Sequence, residues 1–420
     1  MVLTKFSSLA YDEGFKLIKN WKENTVYISL MQLTLLTVNF FLITIISRQY
    51  GAGVYGEYAS SKSLSVLIGT AAVFSLALVT TKARASKAFL SKNIFYNAYY
   101  LVLRNLLGAL VVLIPIVFIL GRDYTMTSLF LIVFVFNEMV HIALAYYQAQ
   151  GNFVISSKQI LIRTILYGLG AWFIVSNAFS IEWVIVYQVF ILLTFFFVAH
   201  FSIPKKDIGA IFSDDNKETR TELTRSGKKM VLTTFSSALI SELDIVLLGL
   251  FYSGSILGIL AWSRRILEII FQLLAASLDI LFPELSKAKN VNEVTDIRHR
   301  LRKVFLFSFL IPIIFFLLKD IAGNIFVTLL GIEFSDVSTY TSSILFCLPL
   351  MVWSRINIIF SRALNFEINL TKTISLAAIL SYIIFYLMHK IGYNPAVLSI
   401  ISSQVLIALL TTYTFRKSYG

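Results

Sequence analysis

Charged side chains interrupt the long apolar stretches of this sequence at positions where they could bind an ion or exchange a proton. Five are cations, namely Lys62, Arg104, Arg264, Arg265 and Arg355, and five more are Glu138, His141, Asp244, Glu268 and Asp279. A charge within hydrocarbon costs about 2.5–3.5 kcal/mol on insertion scales, so these groups must face protein or water rather than lipid. Together they could shield an anion, line a polar path or pair with one another.

Helical spacing places several of these residues on common faces. Successive residues of a helix are rotated by about 100°, so one narrow stripe holds Arg265, Glu268, Gln272, Ala276 and Asp279. Glu242 and Asp244 are two residues apart and therefore point to different faces of their helix. We expect the set as a whole to line a polar cavity. For any single residue the alternative is a structural ion pair, for example Arg265 with Glu268 one turn away.

Glu138 and His141 lie three residues apart near the middle of an apolar stretch. A histidine, or a desolvated glutamate, can exchange a proton near neutral pH, so the pair could form a proton site. The alternative is that each forms a hydrogen bond to a neighbouring helix. The sequence leaves both interpretations open, and it shows no pattern of metal ligands or of a bound cofactor.

Composition indicates whether the segments that carry these residues lie in water or in a membrane. The 420-residue chain is 57% apolar, has a mean hydropathy of +0.79, and is 14% charged, whereas soluble domains are about 25% charged. This predicts a polytopic membrane protein, in which a net charge of +13 reports orientation rather than nucleic-acid binding. We expect no cleaved signal peptide and, with Cys347 alone, no intramolecular disulfide.

A membrane-spanning helix needs about 20 residues, and the sequence has twelve such apolar runs. They lie near 26–47, 54–82, 99–120, 124–149, 155–177, 181–203, 230–250, 255–285, 302–330, 338–364, 370–390 and 394–415. The predicted fold is all-α, with a six-helix lobe at 1–203, a disordered cytoplasmic linker at 204–229 and a second six-helix lobe at 230–420. Six is an even number, so the lobes are parallel repeats, and a cationic cleft is expected between them.

The distribution of basic residues predicts the orientation. Most of the 36 Lys and Arg residues fall in loops on the same side as the N-terminus. By the positive-inside rule, both termini and the linker are cytoplasmic in an inner membrane.

A weak internal repeat supports two related halves. The segment Ile46–Leu64 aligns with Leu248–Leu267, in which each copy has an apolar run, a Gly/Ser turn, a glycine and then a cation. The alignment places Gly258 on Gly56 and Arg264 on Lys62. It predicts equivalent positions for these pairs in the two halves.

These stretches resemble bacterial polysaccharide flippases of the Wzx type, in the multidrug/oligosaccharidyl-lipid/polysaccharide exporter superfamily. The similar segments are SRQYGAGVYGEYASSKSL, LVTTKARASK, AYYQAQGNF, LDIVLLGLFYSGSILGILAWSRRI with LFPELSKA, and LLGIEF followed by RALN. The resemblance covers nearly the whole chain through loose motifs in a fixed order. The usual Arg-Leu-Gly before the first turn is here Arg48-Gln49-Tyr50-Gly51, and twelve spans favour the O-antigen or capsule branch.

The resemblance implies a transporter, not an enzyme, that flips undecaprenyl-diphosphate-linked oligosaccharides. The five cations would hold the diphosphate, and Glu138, His141, Asp244, Glu268 and Asp279 would line the polar cleft or couple transport to a proton or another cation. Implied partners are membrane lipid and the polymerase and chain-length proteins of the same pathway, with no nucleic acid. Alternatives are a drug or metabolite exporter of the same superfamily, and a membrane-embedded polymerase or glycosyltransferase, which the lack of a large outer loop or Walker motif disfavours.

Overall fold

The computed structural model describes residues 2–85, 93–121, 123–150, 152–204, 216–279, 291–363, 367–391 and 395–419, and these are almost entirely helical. The α-helices are α1 (Val2–Val73), α2 (Leu76–Ala85), α3 (Ile94–Leu120), α4 (Tyr124–Ala149), α5 (Phe153–Ser176), α6 (Ile181–Phe201), α7 (Asn216–Phe251), α8 (Gly254–Asp279), α9 (Val291–Leu317), α10 (Lys319–Leu330), α11 (Val337–Ile344), α12 (Leu348–Ala363), α13 (Glu367–Ile391) and α14 (Pro395–Tyr419). Short 3₁₀ turns, Ile332–Phe334 and Leu345–Cys347, flank α11. The prediction of an all-α membrane protein is confirmed.

The helices agree with the predicted membrane spans. In the described residues eight helices are long and apolar enough to cross a membrane, and α9 with α10 forms one further bent span. The first of the eight contains Gly51, whose φ of 81° breaks α1 into two spans. Adding α7 and α8, whose charged residues lie inside the helices, gives the twelve predicted spans.

The chain forms two compact units. The first comprises Met1–Ile45, Ala72–Gly108 and Ile132–Lys228, and the second comprises Ile46–Ala71, Ala109–Leu131 and Lys229–Gly420. In the first, α5 packs along α6; in the second, α8 packs on α11 and α12, and α13 packs on α14. The predicted lobes at 1–203 and 230–420 remain a prediction.

The linker prediction is wrong in one respect. Helix α7 begins at Asn216, so residues 216–229 continue into the span as helix and do not form a disordered tether. This stretch, NKETRTELTRSGKK, contains no proline and only one glycine, so nothing in it prevents α7 from extending beyond the membrane.

Two helix breaks leave backbone groups that side chains from other helices satisfy. At Gly51 the backbone N–H of Ala52 donates to Glu333 Oε2 at 2.9 Å. At the second break, Phe74 and Ser75 have positive φ of 51° and 53°, which ends α1 before α2 begins. Membrane segments tolerate such breaks only where protein replaces the lost hydrogen bonds.

Candidate functional site

The second break defines the surroundings of Glu138. Its Oε1 accepts a hydrogen bond of 2.9 Å from the backbone N–H of Ala77, in the first turn of α2. On the other side of the break, Asn105 Nδ2 donates to the carbonyl of Ala72 at 2.8 Å. Glu138 is therefore the N-terminal cap of α2, where a carboxylate also opposes the positive end of the helix dipole.

His141, half-buried on α4, lies within the electrostatic field of Arg163 on α5. Glu138 and His141 thus have different neighbours among the described residues, namely Ala77 and Arg163. For Glu138 this neighbour is a hydrogen-bond partner on another helix, as the second interpretation expects. The proton hypothesis for the pair stays a prediction.

Substituting Glu138 separates its two possible roles. Glu138→Gln keeps an acceptor oxygen for the Ala77 N–H, so it should unfold at nearly the parental temperature. Glu138→Leu should lose about 1–3 kcal/mol, because the buried N–H then has no acceptor. Thermal unfolding of the purified variants in detergent measures both. If Glu138 also carries the coupled proton, Glu138→Gln should abolish pH-gradient dependence in vesicles despite normal folding. Equal destabilisation by the two changes would contradict the capping role.

A cluster of charges occupies the membrane helices of the second unit. Asp244 and Arg264 are buried, with side chains 3% and 2% exposed, and Arg264 Nε donates to Asp244 Oδ2 at 3.1 Å. Gln404 Nε2 donates to the same oxygen at 3.2 Å. Both terminal nitrogens of the Arg264 guanidinium are buried and have no hydrogen-bond partner in the described part of the chain.

Three members of the stripe predicted on α8, Arg265, Glu268 and Gln272, form a hydrogen-bonded chain. Arg265 Nη1 donates to Glu268 Oε2 at 2.6 Å, and Gln272 Nε2 donates to Glu268 Oε1 at 2.8 Å. The Arg265–Glu268 pair is the structural pair that the sequence left open. Both side chains are about one fifth exposed, at 18% and 20%, so they remain accessible.

Lys62 joins this group from α1. It is half-buried and lies in the electrostatic field of Arg265, Glu242 and Glu268, and the neighbouring Ser63 donates to Glu242 Oε2 at 2.7 Å. Glu242 and Asp244 thus contact different partners, as their spacing predicts. Three cations, Lys62, Arg264 and Arg265, therefore lie near three carboxylates. These are Glu242, Asp244 and Glu268, so the formal charges of this group balance.

The remaining predicted site residues lie elsewhere. Arg104 is exposed on α3 in the first unit, whereas Lys62, Arg264 and Arg265 belong to the second. Arg355 is half-buried on α12. Asp279 ends α8, and its side chain lies outside the described residues. The sequence did not single out Glu333, Asn105 or Gln404, because a polar side chain whose partner is distant in the sequence has no local pattern.

The helices, their breaks and the charges that they bury define a polytopic membrane protein. The fold is that of MATE transporters. A mutant of the Vibrio cholerae MATE transporter VcmN gives a TM-score of 0.62 at 12% identity, over 96% of this chain and 97% of that chain. The inward-facing form of a multidrug resistance MATE family transporter of the MOP superfamily gives 0.69 at 13% identity, over 93% and 97%. A MOP superfamily transporter from Pyrococcus furiosus gives 0.53 at 10% identity, over 94% and 95%.

The sequence assigns the protein to a narrower family than the fold does. Residues 74–339 match the family model described as polysaccharide biosynthesis protein, which is more than half of the chain, and the protein belongs to this family. The family assignment predicted from the flippase-like motifs is thereby confirmed. No curated protein matches the sequence.

Proposed function

We propose that this protein flips undecaprenyl-diphosphate-linked oligosaccharide repeat units from the cytoplasmic to the periplasmic leaflet for O-antigen or capsular polysaccharide assembly. Family membership supports a role in polysaccharide biosynthesis, and the fold supports transport by alternating access. The observation that carries the proposal is the charged group of Lys62, Arg264 and Arg265 within membrane helices. A diphosphate cannot cross hydrocarbon without cations of this kind.

The balance of charges suggests how such a group would work. A diphosphate must compete with Glu268 for the guanidinium of Arg265, and arginine can hold two oxygens of either partner at once. Proton uptake by Glu268 or its neighbour Glu242 would weaken the existing pair and release Arg265 for the phosphate. A membrane potential that is negative inside favours export by about 2.3 kcal/mol per negative charge at 100 mV. Coupling to protons, an inner-membrane location and cytoplasmic termini are parts of this proposal.

Deleting the gene and complementing it with variants tests the function. The deletion strain should lose surface glycan and accumulate lipid-linked repeat units, and the parental gene should reverse both changes. At matched protein levels, the Lys62/Arg264/Arg265 triple alanine variant should not restore the glycan. Normal glycan in the deletion strain together with increased drug sensitivity would instead indicate an exporter of small molecules. Normal glycan with the triple variant would reject the three cations as a diphosphate site while leaving the transport role open.

A further inference from the structure

A second group of cations lies in the first unit, around a cavity of about 590 Å³ between the start of α3 and the start of α7. Its walls hold Arg104 from α3 and Lys217, Arg220, Arg225 and Lys228 from α7, together with Tyr100, and no carboxylate. Residues 217, 220, 221, 224 and 228 of α7 all line it, which is the spacing of one helical face. The cavity is therefore strongly positive, unlike the balanced group around Arg264.

Neutral side chains hold the guanidinium of Arg220 in place, so its positive charge is not neutralised. Arg220 Nε donates to Asn97 Oδ1 at 2.7 Å, and its guanidinium lies 3.9 Å from the centre of the Tyr100 ring, so it is stacked in place. In the described residues none of the five cations forms an ion pair with a carboxylate. Glu222, in the same helical segment, accepts a hydrogen bond from Ser226 instead. Five positive charges that no described carboxylate neutralises lie at one cavity, and this indicates an anionic ligand.

The apolar surface beside the cavity indicates what kind of molecule carries the anion. Along α3, Leu103, Leu107, Val111, Ile114 and Phe118 form one stripe and are 42–87% exposed. From Tyr100 to Leu120 the helix rises roughly 30 Å at 1.5 Å per residue, about the thickness of the hydrocarbon core. Tyr100 and Arg104 therefore lie at the level of lipid headgroups, with the exposed stripe extending from them into the membrane.

We propose that this cavity binds the phosphate group of a membrane lipid, whose hydrocarbon chain lies along the exposed stripe of α3. Phosphate oxygens would accept charge-assisted hydrogen bonds from Arg104, Arg220 and Arg225. The positive charges of Lys217 and Lys228 would attract the phosphate further. Anionic phospholipids and polyprenyl diphosphates share this chemistry, and both present it at the headgroup level.

The cavity is also joined to the second helix break. Arg104 donates to Asn105 Oδ1 at 3.2–3.3 Å, and Asn105 holds the carbonyl of Ala72. On α7, Gly227 packs so closely against the break that an added Cβ would lie 2.8 Å from the Phe74 carbonyl oxygen. A lipid phosphate that binds Arg104 in the cavity would therefore act on the break through Asn105, to which Arg104 donates.

The test uses the purified full-length protein in a neutral detergent, with binding measured by native mass spectrometry. The probes are phosphatidylglycerol, undecaprenyl diphosphate, inorganic pyrophosphate and, as the zwitterionic comparison of zero net charge, phosphatidylcholine. The variant is Lys217→Gln/Arg225→Gln/Lys228→Gln, because all three side chains are exposed and the fold should tolerate their change. Arg302→Gln/Lys303→Gln is the matched control, since these exposed cations at α9 do not line the cavity.

The triple variant should bind at least one of the two anionic lipids about a hundredfold more weakly, since each basic residue at the headgroup level contributes roughly fivefold. The control variant and phosphatidylcholine binding should be unaffected. Loss confined to undecaprenyl diphosphate would identify the transported lipid as the ligand, and loss confined to phosphatidylglycerol would identify a structural or regulatory lipid. Unchanged binding of both lipids would overturn the proposal. So would a variant effect seen only with inorganic pyrophosphate. Because binding is measured without transport, failure here leaves the flippase proposal untouched.

Discussion

Arg264→Met should destabilise the protein by about 3–5 kcal/mol, because it leaves the carboxylate of Asp244 buried without its counter-charge. The Asp244 side chain is 3% exposed, so water cannot replace the guanidinium. Gln404 would still donate one hydrogen bond to it, but a neutral amide does not balance a buried charge. The midpoint of thermal unfolding in detergent reports the loss.

Two further variants show whether the loss comes from the broken pair. Arg265→Met should cost much less, because Glu268 is 20% exposed and keeps its hydrogen bond from Gln272. Asp244→Asn/Arg264→Met removes both charges and should recover most of the stability, since replacing a whole buried pair is often nearly neutral. A single Arg264→Met variant as stable as the parent would contradict this account.

The double variant also separates packing from transport. If Arg264 only stabilises Asp244, then the double variant, present at parental levels, should restore surface glycan in the deletion strain. If the free terminal nitrogens of Arg264 bind diphosphate during the cycle, the same well-folded variant should fail to restore it. The two roles thus give opposite results in one strain.

The membrane spans could be predicted from sequence because hydrocarbon restricts what may cross it. Every polar backbone group must be satisfied within a helix, so apolar runs of about 20 residues are unambiguous. The break at Gly51 also has a local signal, since glycine alone adopts a φ of 81° without strain. The break at Phe74 and Ser75 has none. It exists because Glu138 and Asn105, distant in sequence, hold the separated helix ends.

Helical spacing predicted which charges share a face but not which partners they meet. It correctly placed Arg265, Glu268 and Gln272 on one face, since these residues lie on one helix and form hydrogen bonds within it. It could not show that Arg104 adjoins the basic start of α7, because that requires knowing how two helices pack. The linker composition suggested disorder, whereas four of its basic residues line a cavity with Arg104. A tertiary contact brings these basic residues to the cavity, although their composition alone is typical of a loop.

The internal repeat acquires a physical meaning from the structure. Gly56 and Gly258, which the repeat aligns, contact each other where α1 crosses α8 in the second unit. A Cβ added to Gly56 would lie 2.7 Å from the backbone nitrogen of Gly258, and one added to Gly258 would overlap the carbonyl oxygen of Ala52. Small residues at a crossing allow the backbones of membrane helices to approach closely. Two glycines that the repeat aligns thus share one close contact between helices.

Gly258→Ala should therefore reduce stability by about 3 kcal/mol, the upper end of the usual cost of overpacking, because the atoms in its way belong to a helix backbone. Gly108→Ala is the matched control. Gly108 also lies within a membrane helix, but an added Cβ meets nothing within 4 Å, so alanine should be neutral or slightly stabilising there. Thermal unfolding in detergent compares the two variants directly.

Gly258→Ala should also disturb transport. Lys62 follows Gly56 by six residues and Arg264 follows Gly258 by six, so the crossing sets the position of both cations, each roughly 9 Å along its helix. Separating the helices at the glycines should move Lys62 and Arg264 apart and reduce surface glycan even at matched protein levels. If Gly258→Ala matched Gly108→Ala in both unfolding temperature and glycan, the crossing would not be what positions the two cations.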